Sequence, residues 1–402
     1  MISLNKRILI LGAGRGQIGL YRAAKEMGVT TIAGTMPDNN PPCIPMADEV
    51  CYMNILNPDE VEIKTSGLKF DGVATCCLDS GLRSLGRLVD RRSVAGYGES
   101  VAMLCNDKSA MKRRLVECGV NTAEYAEIKD VRGLLDAINN IGGYPVIIKA
   151  TDLAGSMGIY KAFNEEDALN GFNSAMSVTK RDYVIVERLL RGREFGAQAF
   201  VSQGKVLFVM PHGDILYHSS TDVPVGHYVP FDCDADLMGK IRVESEKAIH
   251  AIGLNDCAVN IDFIEESGKI HVLELSGRIG ANGLPEVVSA HFGIDYYKMV
   301  VLASLGLPVD DLWEARTEGK AALSKMIISP DKAGKLNEIV YGGENENPSV
   351  YEINMFVKPG AEIHKFLNSN HCLGQVVTYG INMEECQDAM NEVCEKLKLV
   401  IE

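Results

Sequence analysis

The chain has 402 residues, which at ~150 residues per domain allows two or three domains and a sizeable buried core. Forty Lys and Arg against fifty-four Asp and Glu leave a formal net charge of −14, and 46% hydrophobic with 23% charged residues excludes both a disordered and a membrane-embedded chain. An acidic chain repels phosphate backbones, and its basic clusters Arg91-Arg92 and Lys112-Arg113-Arg114 are short and read as solvated helix faces, so neither nucleic acid nor a membrane is an expected partner.

Eleven cysteines, an odd number, include no Cys-x-x-Cys pair and no Cys/His cluster at zinc-ligand spacing. They read as reduced thiols used as small core residues, which points to the cytoplasm. The apolar run near the amino terminus, broken by Gly12, is too short for a signal peptide or a membrane span, so no targeting is expected.

Arg7 to Leu11 is a compact apolar run ending at Gly12-Ala13-Gly14-Arg15-Gly16-Gln17-Ile18-Gly19, after which Ile18, Tyr21, Ala24 and Met27 recur at helical spacing. Further runs at Val29 to Ala33 and Gly72 to Cys77 continue a strand–helix alternation, the pattern of a Rossmann-like parallel sheet. Helices are predicted over Lys108 to Cys118 and Val131 to Ile141, each closed by glycine. Strands follow at Pro145 to Ala150, Gly158 to Phe163 and Tyr183 to Glu187, then a hairpin of Glu194 to Val201 with Lys205 to Met210. The stretch from His212 to Asp234, interrupted by Pro224, Gly226 and Pro230, reads as a long functional loop. Leu237 to Ile252 is an amphipathic helix, and Ala258 to Glu265 with Lys269 to Leu275 form two strands around Ser267-Gly268. In the tail, Tyr351 to Val357 and Gln375 to Tyr379 are strand-like, and Asn382 with Glu385 sit at the N-cap and N3 positions of a last helix.

The spacing Gly14-x-Gly16-x-x-Gly19 formally matches a dinucleotide fingerprint. The second strand ends in Ala33-Gly34-Thr35, however, without the acid that would hold a ribose, so a tight turn packing a helix on a sheet is the better reading. A small substrate's phosphate or carboxylate resting there is the alternative. A stronger set begins at Lys149, which ends an apolar strand before Ala154-Gly155-Ser156-Met157-Gly158, a glycine loop whose N–H groups can wrap phosphate oxygens. The apolar strand ending in Glu187, followed by Leu190 and by Glu194, offers backbone groups to an adenine edge and a carboxylate to ribose hydroxyls. Asp262 and Glu274 lie on adjacent predicted strands, where both can face one side and share Mg²⁺; Ser276 and Arg278 follow at two-residue steps on the face of Glu274.

Together with Asp107-Lys108 before a helix, these residues resemble the ATP-grasp superfamily in domain order over about residues 1 to 310, with a family-like tail beyond. Within it the chain is most similar to the carboxylate–amine ligases, including the L-amino-acid ligases, through Thr221-Asp222-Val223-Pro224-Val225-Gly226-His227 and through Val357-Lys358-Pro359-Gly360 with Gly374-Gln375-Val376-Val377. The resemblance implies an α/β fold with three units: a Rossmann-like parallel-sheet domain (1–103), a central ATP-grasp α+β domain with a glycine-loop lid (104–308), and a small carboxy-terminal α+β unit (309–402).

The resemblance also implies roles. Lys108 and Lys149, with Gly155, Ser156 and Gly158 of the lid, bind the ATP phosphates; Glu187 and the backbone near Leu190 bind adenine, and Glu194 binds ribose. Asp262, Glu274 and Ser276 hold Mg²⁺ or Mn²⁺, and Arg278, with Lys149, serves the transferring phosphoryl group. The family usually has Asn where this chain has Ser276, so a second metal would be held more weakly or through water, and many members have Glu at Asp262, which shortens the reach here by one methylene. The implied reaction activates a carboxylate as an acyl phosphate and joins it to an amine, with an amino-acid or peptide-like product, ADP and phosphate. His227, Asn282, Gly283 and the Ser219-Ser220 loop are candidate substrate contacts, and a homodimer is the default assembly. A bicarbonate-using carboxylase of the same superfamily, an NAD-dependent oxidoreductase and a non-catalytic ATP sensor stay open as alternatives.

Overall fold

In a computed structural model that describes residues 4–37, 41–153, 158–218, 222–317, 319–341 and 347–402, the amino-terminal apolar run forms β1 (Arg7–Leu11) inside a parallel sheet. Helix α1 (Ile18–Glu26) leads to β2 (Thr30–Thr35) and β3 (Glu49–Tyr52); α2 (Pro58–Thr65) leads to β4 (Gly72–Ala74), and the order is β3-β2-β1-β4. Side chains alternate across the pleated β1, and both of its faces are covered. Leu9 and Leu11 join one apolar cluster with α3 (Leu82–Arg92), and Ile8 and Ile10 join another with α1. Helix α4 (Glu99–Cys105) precedes α5 (Lys108–Glu117), whose first turn is capped by the Asp107 carboxylate accepting from the N–H groups of Ser109 and Ala110.

A second sheet carries the glycine-loop hairpin. It is built from β5 (Tyr125–Ile128), α6 (Val131–Asn140), β6 (Val146–Lys149), β7 (Ile159–Ala162), α7 (Glu165–Val178) and β8 (Val184–Arg188), in the antiparallel order β5-β8-β6-β7. Leu134 of α6 and Phe172 of α7 fill its apolar face.

The third and largest sheet begins with β9 (Arg193–Ser202), β10 (Lys205–His218) and β11 (Asp222–Val229). Helix α8 (Ala235–Ile252) connects to the hairpin β12 (Cys257–Glu266) and β13 (Lys269–Ser276), followed by α9 (Leu284–Phe292), α10 (Tyr296–Ser304) and α11 (Asp310–Glu314). The tail adds β14 (Ala321–Ile327), β15 (Gly334–Tyr341), β16 (Val350–Met355), β17 (Glu362–Ile363), β18 (Gly374–Gly380), α12 (Met383–Lys396) and β19 (Leu397–Ile401). The eight-stranded order β13-β12-β9-β10-β11-β14-β18-β16 shows that tail strands extend the central sheet, while β17-β15-β19 form a small sheet of their own.

The expected mixed α/β class is present, with one correction. The stretch from His212 to Asp234 is not a long loop: most of it is the end of β10 and all of β11, paired antiparallel. Its apparent strand breakers are accommodated. Pro224 lies opposite Leu216 at a register shift, where a missing N–H is tolerated, and a Cβ at Gly226 would come 2.3 Å from the Ser324 carbonyl oxygen, so glycine permits the approach of β14.

The parallel sheet docks onto the central part of the chain through similarly close contacts. A Cβ at Gly72 would sit 2.1 Å from the carbonyl oxygen of Ser304 at the end of α10. Gly72→Ala is therefore expected to destabilise the protein by about 1–3 kcal/mol in urea unfolding, as overpacking does. Wild-type stability would contradict the close docking of β4 on α10.

Candidate functional site

A cavity of about 700 Å³ opens between the glycine-loop sheet and the edge of the central sheet. Ile147, Leu190, Ile264 and Leu273 line it, with Leu190 packed in one cluster with Ile264 and Leu273, an apolar slot suited to a flat ring. Lys149 and Glu187 lie inside it and exposed Glu194 at its margin. Ile147 pairs with Glu187 in register, which puts Lys149, two residues on, along the same face; its Nζ lies 3.1 Å from Glu187 Oε2.

Glu187 is only 1% exposed, and its second partner is Lys112, whose Nζ is 3.4 Å from the same oxygen. Lys112 thus does not belong to a solvated helix face. It is 2% exposed, donates to Thr122 Oγ1 at 2.7 Å and lies over the Tyr125 ring. Burial pushes the Lys112 ammonium down to about 8 against the pull of Glu187. Burial would raise Glu187, but the two lysines outweigh it and hold the carboxylate below its ordinary range. Glu187 Oε1 has no hydrogen-bond partner, a buried acceptor aimed at no group of the protein.

An adjoining cavity of about 250 Å³ is lined by Asp79, Lys108, Asn260, Glu274, Ser276 and Arg278. Register creates it: Asp262 pairs directly with Glu274, and Asn260 with Ser276, across β12 and β13. Lys108, at the start of α5, forms an ion pair with Glu274. Arg278 grips Asp79 through Nε at 2.8 Å and Nη2 at 2.6 Å, and Ser276 Oγ donates to the same carboxylate at 2.6 Å.

These contacts split the two neighbouring acids. Lys108 holds Glu274 below its ordinary range, whereas burial and the Glu274 charge, with a smaller effect of Asp214, push Asp262 up to about 8. Asp262 therefore lacks the countercharge that Glu274 has. Paired carboxylates recessed beside a phosphate-sized cavity fit a hard divalent cation with oxygen ligands, and Asp262 and Glu274 are the residues that would hold it. The Ser276 hydroxyl is committed to Asp79. Asn260, directly across the ladder, donates to Asp262 Oδ1 at 3.3 Å while its own carbonyl accepts from Gln198 at 2.6 Å.

Of the lid residues, Gly155 and Ser156 lie outside the described residues, as do Ser219 and Ser220. Gly158 closes the base of the β6–β7 hairpin at φ +70°, its carbonyl accepting from the Ala150 N–H at 2.8 Å. Asn282 and Gly283, both at positive φ, precede α9 and line a third cavity of about 370 Å³ with Gly14, Gly16, Phe356 and Gln375. The amino-terminal turn is filled by its own chain. Gln17 Oε1 accepts from the Gly14 N–H at 2.9 Å and its Nε2 donates to the Cys76 carbonyl at 2.6 Å, which removes the open amide a pyrophosphate would need.

His227 is buried on β11, and its Nδ1 lies 2.7 Å from Asp214 Oδ1. His212, Asp214 and His227 bring ligand-type atoms within 4.8 Å of one another. Sequence reasoning missed Asp79, Lys112, Asn260, His212 and Asp214. The Asn-x-Asp spacing of Asn260 and Asp262 on one strand face was the one available signal among them.

Residues 106–219 match the family described as phosphoribosylglycinamide synthetase, ATP-grasp (A) domain, and residues 326–402 match L-amino acid ligase C-terminal domain 2. The crystal structure of phosphoribosylglycinamide synthetase from Anaerococcus prevotii is similar at 47% identity and a TM-score of 0.89, over 99% of this chain and 100% of that one. L-amino acid ligase from Bacillus licheniformis shares the fold at 18% identity and a TM-score of 0.79, over 99% of each chain. Among curated sequences, the carbamoyl phosphate synthase large chain of Clostridium beijerinckii is 22% identical over 358 residues, 77% of this chain and 32% of that one. The chain thus spans about a third of the length of that relative.

A cation entering beside Asp262 must displace the proton that the raised acid retains. Mg²⁺ affinity, measured calorimetrically with a non-hydrolysable ATP analogue, is expected to rise ~10-fold per pH unit below the Asp262 range and to level off above it, with one proton released per ion. The slope should vanish in Asp262→Asn. An affinity independent of pH would contradict Asp262 as a ligand.

Proposed function

The chain belongs to the ATP-grasp superfamily of carboxylate–amine ligases, and from that premise we propose that it phosphorylates a carboxylate with ATP and passes the acyl group to an amine, giving an amide, ADP and phosphate. The observation that carries this reading is the succession of cavities: an apolar slot beside Lys149 and Glu187, then the charged recess of Lys108, Glu274 and Arg278, then the cavity at Asn282 and Gly283. A nucleotide lying along the first two would present its terminal phosphate to a substrate entering from the third. An amino-acid or peptide-like product is the finer form of the proposal, supported by the likeness of the tail to an L-amino acid ligase domain.

In this reading the adenine ring lies in the slot lined by Ile147, Leu190, Ile264 and Leu273, and the unpartnered Oε1 of Glu187 accepts a hydrogen bond from an exocyclic amine. Glu194 takes ribose hydroxyls, and the Gly155–Gly158 segment covers the phosphates. Lys149 and Lys108 neutralise phosphate oxygens, each released in part from its carboxylate partner, Glu187 and Glu274 respectively. A divalent cation on Asp262 and Glu274, with Ser276 and Asn260 nearby, would offset phosphate charge. Arg278 is kept in place by Asp79, with its guanidinium facing the recess, where it steadies the transferring phosphoryl group and then the oxyanion of the tetrahedral adduct. Excluding water matters because an acyl phosphate hydrolyses.

A phosphate-release screen of acid and amine pairs with ATP and Mg²⁺ tests the proposal, since a ligase requires both components. ADP release with bicarbonate alone would favour a carboxylase instead. In Arg278→Lys a cation remains beside Asp79 but the planar fork is lost. Product formation is expected to fall ~10²-fold, as when one oxyanion donor is removed, with ATP affinity close to wild type. Equal losses in both would contradict the role given to Arg278.

A further inference from the structure

The register of the central sheet aligns more than the two metal-type carboxylates. Glu274 pairs with Asp262, Asp262 with Gly196, and Gly196 with His212; Asp214, two residues beyond His212, pairs with His227. Directly paired residues of antiparallel strands, and residues two apart on one strand, share a face. Glu274, Asp262, His212, Asp214 and His227 therefore form one row across the sheet, interrupted only by Gly196. That interruption has a purpose in space: a Cβ at Gly196 would lie 2.3 Å from His212 Cε1 and 2.5 Å from its Nε2. The Cε1–Nε2 edge of His212 thus overhangs the residue paired with Asp262.

Both imidazoles are oriented by one oxygen. Asp214 Oδ1 lies 3.1 Å from His212 Nδ1 and 2.7 Å from His227 Nδ1. A carboxylate oxygen only accepts, so each Nδ1 carries the hydrogen and each neutral ring is left with its lone pair on Nε2. The rings are 2% and 4% exposed, stand edge to face at 5.1 Å, and neither Nε2 has a hydrogen-bond partner. Two buried lone pairs beside an anion repel a carboxylate and accept N–H donors.

We propose that His212 is the base that binds and deprotonates the incoming amine, with Asp214 as the positioning residue that fixes its tautomer and His227 buttressing the pair. The inference rests on the ligase reading and names the handling of its second substrate. An amine arrives as an ammonium and has no lone pair for attack until it loses a proton. One N–H proton passes to His212 Nε2, and Asp214 stabilises the imidazolium. The freed pair forms the C–N bond at the acyl phosphate carbon, and the C–O bond to phosphate then breaks with its electrons on the phosphate oxygen. The second N–H proton leaves with the phosphate, and the first returns from His212 to solvent. His212, rather than His227, is the proton acceptor because it stands one strand nearer the acids and overhangs Gly196. Burial pushes His212 below its ordinary range against the pull of Asp214, which favours the unprotonated ring. Burial would raise Asp214, but its contacts with His227 and His212 outweigh it and hold the carboxyl well below its ordinary range.

Hydroxylamine separates this step from the first one, because it is already unprotonated at neutral pH and traps acyl phosphates without a base. With an acid and amine pair found in the phosphate-release screen, His212→Gln is expected to slow amide formation ~10²-fold or more, the range of general-base catalysis. Hydroxamate formation from the same acid, ATP and hydroxylamine should stay near the wild-type rate. Asp214→Asn preserves shape and should show the same selective loss, so it decides the matter if His212→Gln does not fold. Equal loss of both products in a variant that still binds an ATP analogue, or unchanged amide formation, would overturn the role of His212 alone. Failure of every acid and amine pair with the wild-type protein would instead remove the ligase reading, and this inference with it.

Discussion

Two carboxylates held side by side by strand register set the terms for the rest of the molecule. Asp262 and Glu274 are direct partners on β12 and β13, and residues so paired have Cβ atoms only ~5 Å apart. In a recess with restricted water such a pair repels strongly, and it persists where cations compensate it. The chain supplies one cation directly, Lys108 on Glu274, and leaves Asp262 without a cation of its own, its carboxyl raised by burial and by the Glu274 charge. An arrangement only half neutralised by the protein is well suited to take up a divalent ion.

The surrounding cations follow the same logic. Arg278 is clamped by Asp79, Lys108 by Glu274, and Lys149 together with Lys112 by Glu187. Each carboxylate keeps a cation oriented in the absence of anionic ligand, and each cation can be shared with phosphate without leaving its acid unpaired. Asp79 comes from the parallel-sheet unit, Lys149 from the glycine-loop sheet and Arg278 from the segment after β13. Binding along these cavities would therefore tie the three parts of the chain together electrostatically.

How much of this was legible in the sequence depended on distance along the chain. The strand–turn–helix at Arg7 to Glu26, the Asp107 cap and the strands ending at Lys149 and Glu187 follow from local apolar period and capping chemistry, and they are present. Asp262 and Glu274 were legible because a short hairpin fixes which residues face one another. Asp79 was not, since 199 residues separate it from Arg278 and no local pattern marks a loop carboxylate as a partner. Lys112 looked solvated beside Arg113 and Arg114, because a buried cation depends on Glu187 and Thr122 brought in from elsewhere. His212 and Asp214 were hidden by Pro224 and Gly226, which break the alternation that identifies a strand although β10 and β11 absorb them at a register shift and a close approach.

A crystal structure of the protein with Mg²⁺ and a non-hydrolysable ATP analogue addresses the central claim most directly. The expected result is adenine in the slot between Ile147 and Leu273, the metal bound by Asp262 and Glu274, and the terminal phosphate within hydrogen-bond reach of Lys108 and Arg278. A nucleotide bound elsewhere, or in that slot with its metal remote from both carboxylates, would contradict the account.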